Sequence, residues 1–314
     1  MMKTKTYLIV LITLQLAFSQ SNSKVEAMLP ELFIQFPNVR DFTISSSEDE
    51  AFFTAQSPLG EISVIMQIKK EDSLWLKPTI VPFSGIFSDL EPFLSRDGLK
   101  LYFVSNRPLD NASKAEKDYD IWYVKRENPE KPWSDPINIG SPINSEHNEF
   151  YPSVANNHNL YFTSDAPASK GKDDIFVSPW EKDHYTEPVS LDDSINSAGY
   201  EFNAYIAPDE SFLIFTGYGR EDGLGSGDLY ISYHKADGSW SLAQNLGSAV
   251  NSDKMDYCPF VDMKNAILYF TSKRSQLEKH GKGFDSLISF LAEITKYENG
   301  LSRIYKVSFE KFLH

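Results

Sequence analysis

The chain has 314 residues, 41% of them hydrophobic and 14% aromatic, which is enough apolar material for one sizeable core. A formal charge of −14 and a pI near 4.9 exclude nucleic acid and anionic lipid as partners, because such a surface repels polyanions. The single cysteine, Cys258, excludes an intrachain disulfide and any cysteine-based metal site.

At the N-terminus, Lys3 and Lys5 precede an apolar run over residues 7–18 that is too short to span a bilayer. Ala17 and Ser19 supply the small residues of a cleavage site before Gln20. The pattern predicts a secretory signal peptide over residues 1–19 and one domain over 20–314, exported to the periplasm or the exterior. No cysteine lies near the cleavage site, so a lipoprotein-type anchor is not expected. No later segment is apolar enough for membrane insertion, and a monomer is expected.

An apolar run at residues 29–36 comes next, and then a unit that occurs five times. Each copy opens on an acid: Asp41, Glu91, Glu149, Glu201 and Asp256. A turn follows, and then a strand rich in aromatic and β-branched residues, Phe52-Phe53-Thr54, Tyr102-Phe103-Val104, Tyr161-Phe162-Thr163, Ile214-Phe215-Thr216 and Tyr269-Phe270-Thr271. A third strand is led by Asp120, Asp174 or Asp228. A fourth begins near an aromatic, and Trp75, Trp133, Tyr185 and Trp240 each stand 16 residues ahead of the next opening acid. Three of these intervals carry Asn-Ser at one offset: Asn144-Ser145, Asn196-Ser197 and Asn251-Ser252.

Four short strands in about 50 residues, repeated, predict an all-β propeller of four-stranded antiparallel blades. The count is five, with six as the alternative. The last unit ends on residues 303–307 without an outer strand, so the run at 29–36 is expected to close the ring by pairing there. One segment breaks the pattern. Residues 284–299 predict a helix, capped by Asp285 or Ser286 and ended by Asn299-Gly300, with Leu287, Ile288, Leu291 and Ile294 on one face. It is read as an insertion packed on one end of the disc, or alternatively as a partner-docking helix.

The turns Ser95-Arg96-Asp97-Gly98 and Ala207-Pro208-Asp209-Glu210, each followed by a YFTS-like strand, resemble the WD40-like (PD40) β-propeller repeats of TolB-like periplasmic proteins. The resemblance covers roughly residues 29–312. It implies an exported propeller that serves as a binding platform, and it carries no catalytic signature. The TolB propeller has six blades. Two departures stand out: Arg303 replaces the acid of the third strand, and Ala155-Asn156-Asn157-His158 lacks the turn Asp-Gly.

The candidate site is the set of opening acids, Asp41, Glu91, Glu149, Glu201 and Asp256, expected to ring the central channel. Five carboxylates on one axis could hold Ca²⁺ through oxygen ligands, a basic peptide or a polyhydroxylated ligand. Alternatively they accept hydrogen bonds from backbone N–H groups at equivalent blade interfaces. The acids Asp120, Asp174 and Asp228 read as turn caps. The four spaced aromatics read as interblade packing, or alternatively as carbohydrate platforms. No hydrolase, zinc-protease, P-loop or dinucleotide motif occurs, and the six histidines are scattered. The expected function is therefore a non-catalytic platform for a protein, peptide or envelope glycan. The alternative is a carbohydrate-active hydrolase using channel-mouth carboxylates.

Overall fold

The YFTS-like segments are buried on both faces of their sheets, as Leu101–Val104 illustrate at 0–5% exposure. A strand covered on both sides needs neighbours above and below, and a ring of blades supplies them. The structure, a computed structural model, describes residues 24–110, 115–279, 281 and 283–313. The expected signal peptide over residues 1–19 lies outside the described residues.

Five four-stranded antiparallel blades form the ring. From the axis outward, blade 1 is Asn38–Ile44, Glu50–Gln56, Ser63–Glu71 and Thr79–Ile80. Blade 2 is Asp89–Leu94, Lys100–Ser105, Asp120–Lys125 and Ile137–Asn138. Blade 3 is Glu149–Val154, Leu160–Ser164, Asp174–Ser178 and Val189–Ser190. Blade 4 is Tyr200–Ile206, Phe212–Tyr218, Gly227–Tyr233 and Gln244–Asn245. Blade 5 takes Asp256–Asp262, Ile267–Ser272 and Arg303–Ser308 from the C-terminal part, and its outer strand is Glu26–Ala27. The outer strands begin a few residues after the spaced aromatics rather than on them.

The N-terminal segment thus closes the ring, but not through residues 29–36. Glu26 and Ala27 pair with Lys306 and Tyr305, and Met28 N–H donates to the Ile304 carbonyl. Pro30 then favours a turn of helix, Pro30–Phe33, which buries Phe33 against Phe53 (ring centroids 4.8 Å apart). The C-terminal helix is also shorter than expected. It runs Leu287–Ile294 with Ser286 as N-cap in a reciprocal capping box with Ser289. Its apolar residues are not packed on the disc: Leu287 and Ile288 are 70% and 80% exposed, and only Glu293 is buried. Among the described residues no helix is long and apolar enough to cross a membrane.

Every inner strand carries a one-residue bulge at the same depth, between Arg40/Thr43, Leu90/Phe93, Phe150/Ser153, Phe202/Tyr205 and Tyr257/Phe260. The extra residue has a left-handed backbone each time: Asp41 (φ 60°), Glu91 (57°), Tyr151 (51°), Asn203 (52°) and Cys258 (53°). In three blades the YFTS threonine supports this strained position in the next blade, while Thr216 of blade 4 has no such contact. Thr271 Oγ1 accepts from Asp41 N–H, Thr54 Oγ1 from Glu91 N–H and Thr163 Oγ1 from Asn203 N–H. Blade 2 has Val104 there instead, and Tyr151 N–H donates to the Glu91 carboxylate at 2.7 Å. Below the bulges, Phe93, Tyr205 and Phe260 pack together and plug the axis.

Candidate functional site at the channel mouth

The five predicted acids occupy two registers rather than one ring. Asp41 and Glu91 are bulge residues at the axis. Glu149, Glu201 and Asp256 stand two residues earlier, where each inner strand begins, and their counterpart in blade 2 is Asp89, paired opposite Ser105. The even 16-residue spacing to Glu91 masked this offset.

The early register braces one blade to the next. Ser145, Ser197 and Ser252 donate both backbone N–H and hydroxyl to Glu149, Glu201 and Asp256. The asparagine just before each serine brackets the previous blade's third strand. Asn144, Asn196 and Asn251 accept from the N–H and donate to the carbonyl of Ile121, Ile175 and Leu229, at 2.9–3.0 Å. In three blades an arginine just past the second strand completes the joint. Arg107, Arg220 and Arg274 pair with Asp89, Glu201 and Asp256 at 2.6, 2.9 and 2.9 Å. Each also donates to a backbone carbonyl of the preceding loop and lies over aromatic rings. Blade 3 lacks that arginine. Burial therefore pushes the Glu149 carboxyl up to about 7 against the pull of Ser145.

The axial register is a charge cluster. Arg40 donates from Nε to Asp41 and from Nη2 to Glu91, both at 2.7 Å. Asn203 Nδ2 also donates to Glu91 (3.2 Å), and Glu91 N–H donates to Asp41 (3.3 Å). Cys258 completes the ring, its Sγ 3.4 Å from both Arg40 Nη2 and Asn203 Oδ1. Burial raises the Glu91 carboxyl to about 7, with Asp41 adding to the rise and Arg40 opposing it. Burial likewise pushes the Cys258 thiol up, which keeps it protonated and unreactive. Among the described residues no group of three or more His, Cys, Asp or Glu side chains is placed to hold a metal. At the axis the cationic position is filled by Arg40.

One residue ahead of each bulge, Arg40, Leu90, Phe150, Phe202 and Tyr257 form a second ring at the channel mouth. With Met255 and Asp173 at the rim and Glu91, Asn203 and Thr163 below, they enclose about 230 Å³, and burial raises the Asp173 carboxyl. Arg40 lies over the Tyr257 ring at 5.2 Å. The long connections between second and third strands, including 106–119 and 273–302, leave from this face. Arg40 and the mouth ring were not legible as a site, because the bulge is a feature of pairing rather than of composition.

The acids Asp120, Asp174 and Asp228 fasten loops and outer strands. Asp174 and Asp228 each accept two backbone N–H groups of the loop before them, and Asp120 and Asp228 hold Asn138 and Asn245. Of the spaced aromatics, Trp133 stacks under Arg126 (4.2 Å), whose guanidinium pairs with Glu50 of blade 1 at 2.5 Å. Trp240 is buried, and Trp75 lies under Lys70.

No protein-family model matches the sequence, and no curated protein matches it significantly. Solved structures do match in fold. The catalytic domain of a GH62 α-L-arabinofuranosidase from Coprinopsis cinerea aligns with TM-score 0.52 and 10% identity, over 87% of this chain and 91% of that one. An endo-arabinase from Bacteroides thetaiotaomicron aligns with TM-score 0.49 and 15% identity, over 79% and 96%. TolB from Acinetobacter baumannii aligns with TM-score 0.48 and 9% identity, over 86% of this chain and 54% of TolB, so the chain spans about half of that protein's length. The fold is thus shared with the arabinofuranosidase catalytic domain, and the chain is an all-β, five-bladed propeller.

Proposed function

We propose that this chain is an exported, non-catalytic propeller whose channel mouth receives a partner polypeptide. The observation that carries this reading is the commitment of the axial acids to donors of the scaffold. Glu91 accepts from Arg40, Asn203 and the Tyr151 backbone, and Asp41 accepts from Arg40 and the Glu91 backbone. Scaffold donors thus occupy three of the about four acceptor positions of Glu91 and two of those of Asp41. What faces outward is Leu90, Phe150, Phe202, Tyr257 and Met255 with Arg40 and Asp173 among them, a mainly apolar and aromatic composition suited to protein contacts. At about 230 Å³ the pocket lies below the range of about 300–1,000 Å³ usual for small-molecule sites, and it suits one inserted apolar side chain. Export rests on the N-terminal sequence pattern.

One observation favours a second reading, a glycoside hydrolase. A carboxyl raised to about 7 beside a second carboxylate is the electrostatic arrangement that separates a general acid from its partner. Two assays separate these readings. Displayed peptide libraries selected on the protein are expected to yield sequences with a central aromatic or aliphatic residue, whose binding is lost in Phe202→Ala. A panel of chromogenic aryl glycosides is expected to give no turnover above buffer. Turnover abolished by Glu91→Gln would establish the hydrolase instead.

A further inference from the structure

A second concavity lies away from the channel, between blades 2 and 3 on the side of the short turns. It encloses about 520 Å³, within the range of small-ligand sites. Its walls are aromatic. Tyr102 and Tyr123 come from the second and third strands of blade 2, and Trp180 and Tyr185 from a hairpin found between the third and fourth strands of blade 3. That hairpin is Trp180–Glu181 paired with His184–Tyr185, joined by Lys182 and Asp183 at φ 47° and 65°. Two consecutive left-handed residues make the tight turn that matches strand twist. The hairpin therefore holds its rings rigidly, and Trp180 packs edge-on against Tyr185 at 4.7 Å.

Among the described residues of this groove, the Tyr102 and Tyr185 hydroxyls pair with each other and His184 Nδ1 meets the Lys182 carbonyl, but other polar groups are unspent. The Tyr123 hydroxyl, the Trp180 indole N–H, the His158 ring nitrogens and the Asp183 carboxylate form no hydrogen bond within the protein. Lys100 Nζ lies over Tyr123 (4.8 Å) and Tyr102 (5.2 Å) and has no carboxylate partner. At the blade joints the Asn-Ser braces saturate such groups. Aromatic walls with free donors and acceptors at their edges are the surface a sugar ring needs. Its C–H face lies on a ring while its hydroxyls find both donors and acceptors. One ammonium and one carboxylate leave the groove without net charge, which favours an uncharged ligand over an acidic or basic one.

We propose that this groove binds a neutral oligosaccharide, with Trp180 and Tyr123 as its main contacts and Asp183 and Lys100 hydrogen bonding to hydroxyls. This site is independent of the channel mouth and of the reading given to it. The test is isothermal titration of the mature protein with neutral hexasaccharides of gluco, xylo, arabino and galacto configuration, alongside an acidic hexagalacturonate and an aromatic-rich peptide. At least one neutral oligosaccharide is expected to bind and to quench tryptophan fluorescence. Affinity should fall tenfold or more in Trp180→Ala, and severalfold in Tyr123→Phe and Asp183→Ala, which leave the ring packing intact. Phe202→Ala at the channel mouth should bind the sugar as the parent does. Absence of binding to every neutral sugar, preference for hexagalacturonate or the peptide, or affinity unchanged in Trp180→Ala and Asp183→Ala would each overturn the proposal.

Discussion

Removing Arg40 is the most informative perturbation of the axis. Its guanidinium is the shared partner of Asp41 and Glu91, whose side chains are 0% and 4% exposed. Arg40→Gln leaves two buried carboxylates facing each other without a cation. Stripping one partner from a buried charge group costs about 3–5 kcal/mol, a large share of the roughly 5–15 kcal/mol that stabilises a folded domain. Two unit charges about 4 Å apart repel by about 4 kcal/mol at an effective dielectric of 20, so repulsion alone is of the same size. The assay is urea denaturation at neutral pH of the parent, of Arg40→Gln, and of the triple variant with Asp41→Asn and Glu91→Gln added. The single variant should lose about 3–5 kcal/mol, and the triple variant should regain most of it, because the orphaned charges are gone. The single variant should also recover on acidification. Without Arg40 the Glu91 carboxyl, already raised by burial, loses the cation that opposes the rise, so the penalty is lost as pH falls through its folded value. A loss below about 1 kcal/mol, or a triple variant no better than the single one, would refute the reasoning.

Glu91 itself sets a pH dependence. Its carboxyl is raised from 4.5 to about 7, so the folded protein holds more protons than the unfolded chain across that window, and stability falls as pH rises through it. The shift corresponds to at most about 3 kcal/mol. Comparing urea midpoints at pH about 5 and 8, Glu91→Gln should flatten the slope, and an unchanged slope would contradict the assignment. Asn196→Leu removes the acceptor of the Ile175 N–H, now at 3.0 Å, while the Ile175 carbonyl keeps the Leu191 N–H. That should cost about 1–3 kcal/mol, whereas a neutral effect on denaturation would remove the brace from the account. Deleting residues 24–28 strips blade 5 of its outer strand and should lower the melting temperature of the whole ring, since each blade relies on its neighbours. Unchanged melting would mean that the ring does not depend on this closure.

The blades were legible because alternating aromatic strands and turns are local signals repeated five times. What stayed hidden was register. Glu91 and Glu149 look equivalent by spacing, but Asp89 is the true counterpart of Glu149, and a two-residue offset moves a carboxylate from the blade joint to the axis. The bulge that makes Asp41 and Glu91 axial is a property of pairing between strands, which composition does not encode. Arg107, Arg220 and Arg274 follow their second strands closely enough to have been noticed, yet their partners lie 18 or 19 residues back in the chain. The helix was found and its cap named, but its packing was not. An apolar stripe predicts burial only when something covers it, and Leu287 and Ile288 remain exposed. Closure at the N-terminus was anticipated in kind and misplaced by a few residues, because Pro30 turned the apolar run into a helix and left Glu26 and Ala27 to pair.

The central claim is that the axial carboxylates are neutralised from within, by Arg40 and backbone donors, and that ligands are taken at the mouth. Thermal melting of residues 20–314 in EDTA and in excess CaCl₂ tests it most directly, because any cation held by the folded state raises the melting temperature by mass action. The account predicts coincident transitions in the two conditions, for the parent and for Asp41→Asn with Glu91→Gln. A Ca²⁺-dependent rise in the parent that disappears in the double variant would contradict it.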